Sequence, residues 1–293
     1  MKKAIILLLM LFLSSQIIAQ EIENLFDNYT GENKTSFLQP LNDVIIPNFN
    51  QGLFQSPVME KGFHLNIGLN ISVGYVTDNI KTFRGTTESS EEFPFEPIQT
   101  ANVPTIVGEI DPVEVEGING TSYLFPGGAN LKIAPFAIPQ LTIGNLFGTE
   151  FTFRFFTYDI NDDFGKLQHI GGAVRHNLSQ YLPVGKFDWN VGYGYQVFSI
   201  GDKADISSHL VFMDIGQHPG HFYYFGRLGY QTGKMKIDYE NAEEEIAVKF
   251  ELNKVFPVIV SLGGGLDFWK FRLHAAVSYS KIPFAEAGLF LNF

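Results

Sequence analysis

The chain is predicted to be an all-β protein, a transmembrane antiparallel up-and-down β-barrel of about 14 strands. Three observations carry this expectation. Segments of ten or more residues alternate apolar with polar or small side chains, the period of two of a strand that has one apolar and one wet face. The composition is 45% hydrophobic but only 17% charged, below the roughly 25% charged residues of a water-soluble domain. Past residue 20 no apolar run reaches the about 20 residues a spanning helix needs, which leaves the closed barrel as the way across a bilayer. Acids outnumber bases 31 to 20, a net charge of -11, so nucleic acid is excluded as a partner. The absence of cysteine excludes a disulfide framework, thiolate metal sites, a cysteine nucleophile and a lipid-modified N-terminal cysteine.

Residues 1–19 read as a secretory signal. Lys2 and Lys3 form the positive start, Ala4 to Leu13 the apolar stretch, and Ile17-Ile18-Ala19 the cleavage site before Gln20. Export by the general secretory route to a Gram-negative outer membrane follows as the expected localisation. Residues 20–60 are polar and unlike a barrel strand, with Phe37, Leu41, Val44 and Ile45 at helical spacing and a stop near Pro47. This segment is read as periplasmic or lumen-plugging, or as a docked helix with no gating role.

Residues 61–293 are assigned to the barrel. The clearest strand runs from Phe63 to Tyr75, with Phe63, Leu65, Ile67, Leu69, Ile71, Val73 and Tyr75 on one face. His64, Asn66, Gly68, Asn70, Ser72 and Gly74 form the other. Phe187–Val197 and Phe271–Ser280 repeat the pattern. Weaker versions lie at Thr149–Tyr158, Phe222–Gln231, Met235–Tyr239, Ile246–Asn253 and Val258–Phe268. Strands this long suit a tilted membrane crossing of about 9–11 residues better than a soluble sandwich, whose strands average about 5–6. In the last strand, Leu289, Leu291 and Phe293 alternate with Phe290 and Asn292 and are expected to form the outward-facing signal read by the barrel-assembly machinery.

Parity assigns each connection to a side. With Phe293 in the periplasm, Asn145–Gly148 and Phe268–Lys270 become periplasmic turns. Thr77–Phe95, Asp159–Gly165 and Ile200–Ile206 become outer loops, the usual arrangement of short turns within and long loops without. The count closes best at 14 strands, with 12 as the alternative.

Several segments resemble an uncharacterised family of outer-membrane barrels of Bacteroidetes type. They are Phe37-Leu38-Gln39-Pro40-Leu41, Asn50-Gln51-Gly52 leading to Gly62-Phe63, and Ala134-Pro135-Phe136-Ala137-Ile138-Pro139-Gln140. Gly148-Thr149-Glu150, Arg175-His176-Asn177-Leu178-Ser179-Gln180-Tyr181-Leu182-Pro183 and Gly192-Tyr193-Gly194-Tyr195-Gln196 continue the resemblance. More distantly, the pre-barrel segment and strand number are similar to the long-chain fatty-acid channel family. That likeness implies a fold rather than an activity, and it brings no catalytic residues with it.

Arg154, Arg227, Lys249 and Arg272 share the inferred lumen face with Glu251, Asp267, His274 and Glu286. Such a face either selects solutes by charge or fills a narrow barrel with ion pairs, since charge on the lipid face costs about 2–4 kcal/mol at the midplane. His64, His169, His176 and His274 have no nucleophile motif beside them, so they read as structural polar groups and no catalytic role is expected. Asp159, Asn161, Asp162 and Asp163 approach a calcium loop but lack its sixth-position glycine and twelfth-position acid. Glu240 and Glu243 to Glu245 read as a solvated turn, and Gly127-Gly128 and Gly263-Gly264-Gly265 fit no phosphate loop. No cofactor is expected. The expected partners are outer-membrane lipid and lipopolysaccharide, the assembly machinery and a small solute, hydrophobic solutes included. The expected function is a passive channel, and the alternative is a non-conducting structural or surface-interaction barrel.

Overall fold

Alternation closes into a ring. The computed structural model describes residues 31–60, 62–89, 94–161, 165–182, 185–241, 246–253 and 255–293. The expected signal at 1–19, the loop acids Asp162 and Asp163, and Glu243 to Glu245 lie outside these residues. In chain order the strands are β1 (His64–Tyr75), β2 (Thr82–Thr86), β3 (Thr100–Pro104), β4 (Val113–Glu116), β5 (Ser122–Phe125), β6 (Ile133–Leu146), β7 (Thr149–Asn161) and β8 (Gly165–Asn177). There follow β9 (Asp188–Ile200), β10 (Ala204–Gln217), β11 (Phe222–Asn241), β12 (Ile246–Leu252), β13 (Val258–Phe268), β14 (Phe271–Ser280) and β15 (Ile282–Asn292). Among the described residues one α-helix, α1, spans Gly31–Phe49.

The chain divides into two compact units. The larger, residues 42–75 and 136–293, holds the barrel. Its strands pair in the order β10-β9-β8-β7-β6-β1-β15-β14-β13-β11, and β10 pairs with β11 to shut the ring. The result is a closed antiparallel barrel of ten strands, with β12 as an extra strand outside it. Closure leaves the ring itself without an edge.

The expected count of 14 is therefore corrected to ten. Phe222–Gln231 and Met235–Tyr239 are one strand of 20 residues, β11. Ile246–Asn253 contributes no crossing, because β12 pairs only with the far half of β11, from Met235 to Asn241. Among the described residues of 76–132, between β1 and β6, no strand joins the barrel. A ten-stranded ring is wider than the eight strands whose own side chains fill the interior, so it needs a further filling.

The facing is that of a protein turned inside out. Along β14, Arg272, His274, Ala276, Ser278 and Ser280 are buried, while Phe271, Leu273, Ala275, Val277 and Tyr279 are exposed. In β1, His64, Asn66, Asn70 and Ser72 are buried, and Ile67, Leu69, Ile71 and Tyr75 are exposed. An exterior of this kind is stable against hydrocarbon rather than water. Twelve-residue β1 rises about 40 Å along its axis and, at a tilt of about 40°, covers about 30 Å of height, the thickness of a bilayer core. Exposed rings gather at both ends. Tyr75, Tyr230 and Tyr279 mark one, and Phe147, Phe222, Phe268, Trp269 and Phe293 the other.

The smaller unit comprises, of the described residues, those of 31–41 and 76–135. Hairpins β2–β3 and β4–β5 build it, with Phe37, Leu38, Ile80, Phe95, Val103 and Phe125 buried. Asn33 ties the start of α1 to Thr86 reciprocally, donating to its carbonyl at 2.7 Å and accepting from its amide at 3.0 Å. Tyr123 lies between Phe95 and Phe125. Burial, with the nearby Glu88 carboxylate, pushes its hydroxyl up to about 12. The neutral form is favoured in the fold, so its stabilising share is complete below about pH 10 and lost as pH rises towards 12. A 295 nm difference titration of wild type against Tyr123→Phe should show one tyrosine ionising later than an exposed tyrosine.

Candidate functional site: the lumen and the segment that fills it

Residues 42–60 occupy the barrel interior. Asn42 to Val44, Ile46 to Pro57 and Met59 are buried, and Ile45, Val58 and Glu60 are half-buried. The path has a direction. At the end of the barrel that carries the β14–β15 turn, Asn42 donates to the Leu252 carbonyl at 3.0 Å and Asp43 pairs with Lys281 at 2.8 Å. At the end that carries Phe293, Glu60 pairs with Arg272 at 2.8 Å, and Asn145 donates its amide to the Gly62 carbonyl. The chain then reverses into β1. Helix α1 ends at Phe49, two residues beyond the expected stop at Pro47.

Wall side chains hold the segment chiefly by its backbone. Arg154 donates to the carbonyls of Phe49 at 2.8 Å and Gln51 at 2.6 Å. Gln140 and Thr152 both donate to Leu53, at 2.9 and 3.0 Å. Arg227 reaches Phe54 at 3.0 Å, Arg175 reaches Ser56 at 2.6 Å, and Asn190 reaches Pro57 at 2.7 Å. Gln196 also donates to Phe49. The Phe49 carbonyl is left open at the end of α1 and the others lie in irregular, buried backbone, where an unpaired group costs about 1–3 kcal/mol, so the wall supplies what secondary structure does not.

The charges on that wall form a network around Asp214, a His274–Glu286 pair and, at the Phe293 end, a cluster of Arg272 with Asp267 and Glu60. Asp214 accepts from Asn190 at 2.6 Å and Arg227 at 3.1 Å, and lies 3.5 Å from Arg175, which also pairs with Glu150. Glu150 in turn meets His64 at 3.1 Å. Glu286 meets His274 at 2.9 Å. Among the described residues no carboxylate pairs with Arg154; it donates to Gln140 at 2.8 Å and Gln196 at 3.2 Å. Above it Phe49 sits against Phe136, Phe198 and His169, with ring centroids 4.8, 5.3 and 5.4 Å apart. Phe54 stacks beneath the Arg175 guanidinium at 4.5 Å.

Of the residues expected on the lumen face, Arg154, Arg227, Arg272, His274 and Glu286 are buried inside the ring. Asp267 lies at the Phe293 end, bonded by both carboxylate oxygens to Arg272 at 2.7 Å. Lys249 and Glu251 are corrected: both belong to β12, outside the ring, and Glu251 is exposed and pairs with Lys234 at 2.6 Å. The Lys234 ammonium lowers the Glu251 carboxyl below its usual range. Their alternation was genuine, but β12 lies beyond the closed part of the barrel. Glu150, Arg175, Asn190 and Asp214 were not singled out from the sequence, although each sits at an inward position of its own alternating strand. Leu289, Leu291 and Phe293 are exposed, and Phe290 is fully buried. His176 joins a surface cluster with Thr149 at 2.8 Å and Tyr181 at 3.1 Å.

The Asp43–Lys281 clamp sits at the rim, where Lys281 is about a third exposed and Asp43 also accepts from the Phe256 amide at 3.2 Å. Because the Asp43 carboxylate is itself buried, Lys281→Met leaves it without its cation and is expected to cost about 2 kcal/mol, read as a shift in the urea unfolding midpoint.

A ring polar within and apolar without, its interior occupied by a buried stretch of its own chain, defines an outer-membrane type of barrel. The chain belongs to the family of unknown function DUF6588, which matches it over residues 1–293. No curated protein matches it in sequence. Among solved structures, it is similar to the toluene transporter TbuX of Ralstonia pickettii at 10% identity, over 85% of this chain and 93% of that one, with a TM-score of 0.29. The outer membrane protease OmpT of Escherichia coli aligns at 7% identity over 83% and 99%, with a TM-score of 0.36. Ail of Yersinia pestis aligns at 12% identity over 80% and 100%, with a TM-score of 0.24. Similarities of this size carry no argument about activity.

Proposed function

We propose that this protein is a Gram-negative outer-membrane barrel whose resting state is closed by residues 42–60 and does not conduct. It acts as a structural or surface-interaction barrel and performs no catalysis. The observation that supports the reading is the set of wall donors, Arg154, Gln140, Thr152, Arg227, Arg175 and Asn190, each bonded to a carbonyl of the buried segment. The apolar exterior of bilayer height supports the membrane, and the expected signal at 1–19 supports the export route. Purified full-length protein in planar bilayers is expected to insert without steady ion current. A stable open conductance in the unmodified protein would overturn the closed resting state.

A second reading, passive uptake of a small solute, has support in the polarity of the wall. Asn66, Asn70, Ser72, Thr142 and Thr152 are inward positions that water would wet if the segment moved aside. Conduction by this route needs displacement of residues 42–60, so uptake should appear only under conditions that release them.

A further inference from the structure

We infer that the barrel delivers residues 31–41, ahead of Asn42, to the cell surface, this stretch having passed through the lumen. The inference rests on the outer-membrane reading above and concerns which side of that membrane the segment occupies.

Direction carries the argument. Contacts of the buried segment move steadily along the barrel: Asp43 meets Lys281 at one end, Gln51 and Leu53 meet the middle of the wall, and Glu60 meets Arg272 at the other. The Arg272 end holds Phe293, the two-residue turns at Phe147-Gly148 and Trp269-Lys270, and the start of β1. At the Lys281 end the chain leaves β1 at Tyr75 and returns as β6 only at Ile133, the longest connection between ring strands, and β11 extends beyond the ring to pair with β12. Short turns face the periplasm and long insertions the exterior, so Lys281 lies outside. A chain that enters β1 from the periplasmic end, and whose residue 43 is at the outer rim, has its preceding residues outside. The wall holds the segment both by main-chain carbonyls, which every residue carries, and by particular side chains, with Ser278 donating to Gln51 and Ser208 to Asn50, so the segment is fixed in one register along the lumen.

The chain has no cysteine, so single-cysteine variants report position without background. Glu32→Cys and Thr35→Cys mark the exposed start of α1, Asp202→Cys the β9–β10 turn at the Lys281 end, and Lys186→Cys the β8–β9 connection at the Phe293 end. Each full-length variant is first shown to be heat-modifiable and to react with maleimide when purified. Intact cells are then treated with a membrane-impermeant maleimide, before and after permeabilisation of the outer membrane. Glu32→Cys, Thr35→Cys and Asp202→Cys should label fully in intact cells, and Lys186→Cys only after permeabilisation. If Asp202→Cys labels in intact cells while both α1 variants wait for permeabilisation, the inference is overturned and the outer-membrane reading stands. If Asp202→Cys is itself protected in intact cells, the assumed membrane location or orientation is wrong and the inference falls with it.

Discussion

Arg154→Ala is expected to unlock the plug and turn a silent barrel into a conducting one. Arg154 is 1% exposed, and its guanidinium serves four oxygens at once: the carbonyls of Phe49 and Gln51 and the side chains of Gln140 and Gln196. Removing it strands buried acceptors and opens a void on one side of the segment. Buried acceptors cost about 1–3 kcal/mol each when unpaired, with partial relief from water, so a net loss of about 3–5 kcal/mol is expected. Most of that loss falls on the docking of residues 42–60, because the barrel ladder keeps its own hydrogen bonds. Single-channel recording should then show openings absent from wild type, and limited proteolysis should cleave within residues 42–60. Arg154→Lys should recover only part of the closure, since one ammonium cannot span both carbonyls as the planar fork does. An Arg154→Ala protein that stays silent and protease-resistant would place the closing energy elsewhere on the wall.

Gly52→Ala should loosen the same segment by a different route, at a cost of about 2–4 kcal/mol. Gly52 has a φ of +62°, where an L side chain is strained by about 1–2 kcal/mol. A Cβ there would also fall on the side-chain amide of Asn70, well inside van der Waals contact. The two causes separate in a double-mutant cycle. Asn70→Ala removes the clash but not the backbone strain, so Gly52→Ala in an Asn70→Ala background should cost about half as much as in wild type. The readout is the urea midpoint for protease protection of residues 42–60. Equal costs in the two backgrounds would mean that Asn70 yields freely and that backbone strain alone matters.

The strands themselves were legible because a period of two needs only neighbours to be read. His64, Asn70 and Ser72 alternate with Ile67, Leu69 and Ile71, and each polar member faces inward in the ring. The long turns and the short ones were likewise assigned to opposite ends from parity. The number of crossings was not legible. At Thr232, Gly233 and Lys234 the apolar face of β11 gives way to polar residues, which looks like the end of a strand. There the strand instead runs on past the aromatic row marked by Tyr230, continuing to Asn241.

Facing, length and an apolar exterior were thus determined by the sequence alone, since each follows from residues one or two positions apart. Helical spacing in residues 37–45 was local too, and α1 is where that spacing predicted a helix. Only the tertiary structure decided what the helix leads into. Arg154 meets Phe49 across a separation of 105 residues, Arg227 meets Phe54 across 173, and Asp43 meets Lys281 across 238. Those meetings depend on the register of every strand between them and on ring closure at ten. Closure at ten strands leaves an interior too wide for its own side chains and just able to admit one segment of chain. No short window of sequence contains that width, which belongs to the ring as a whole.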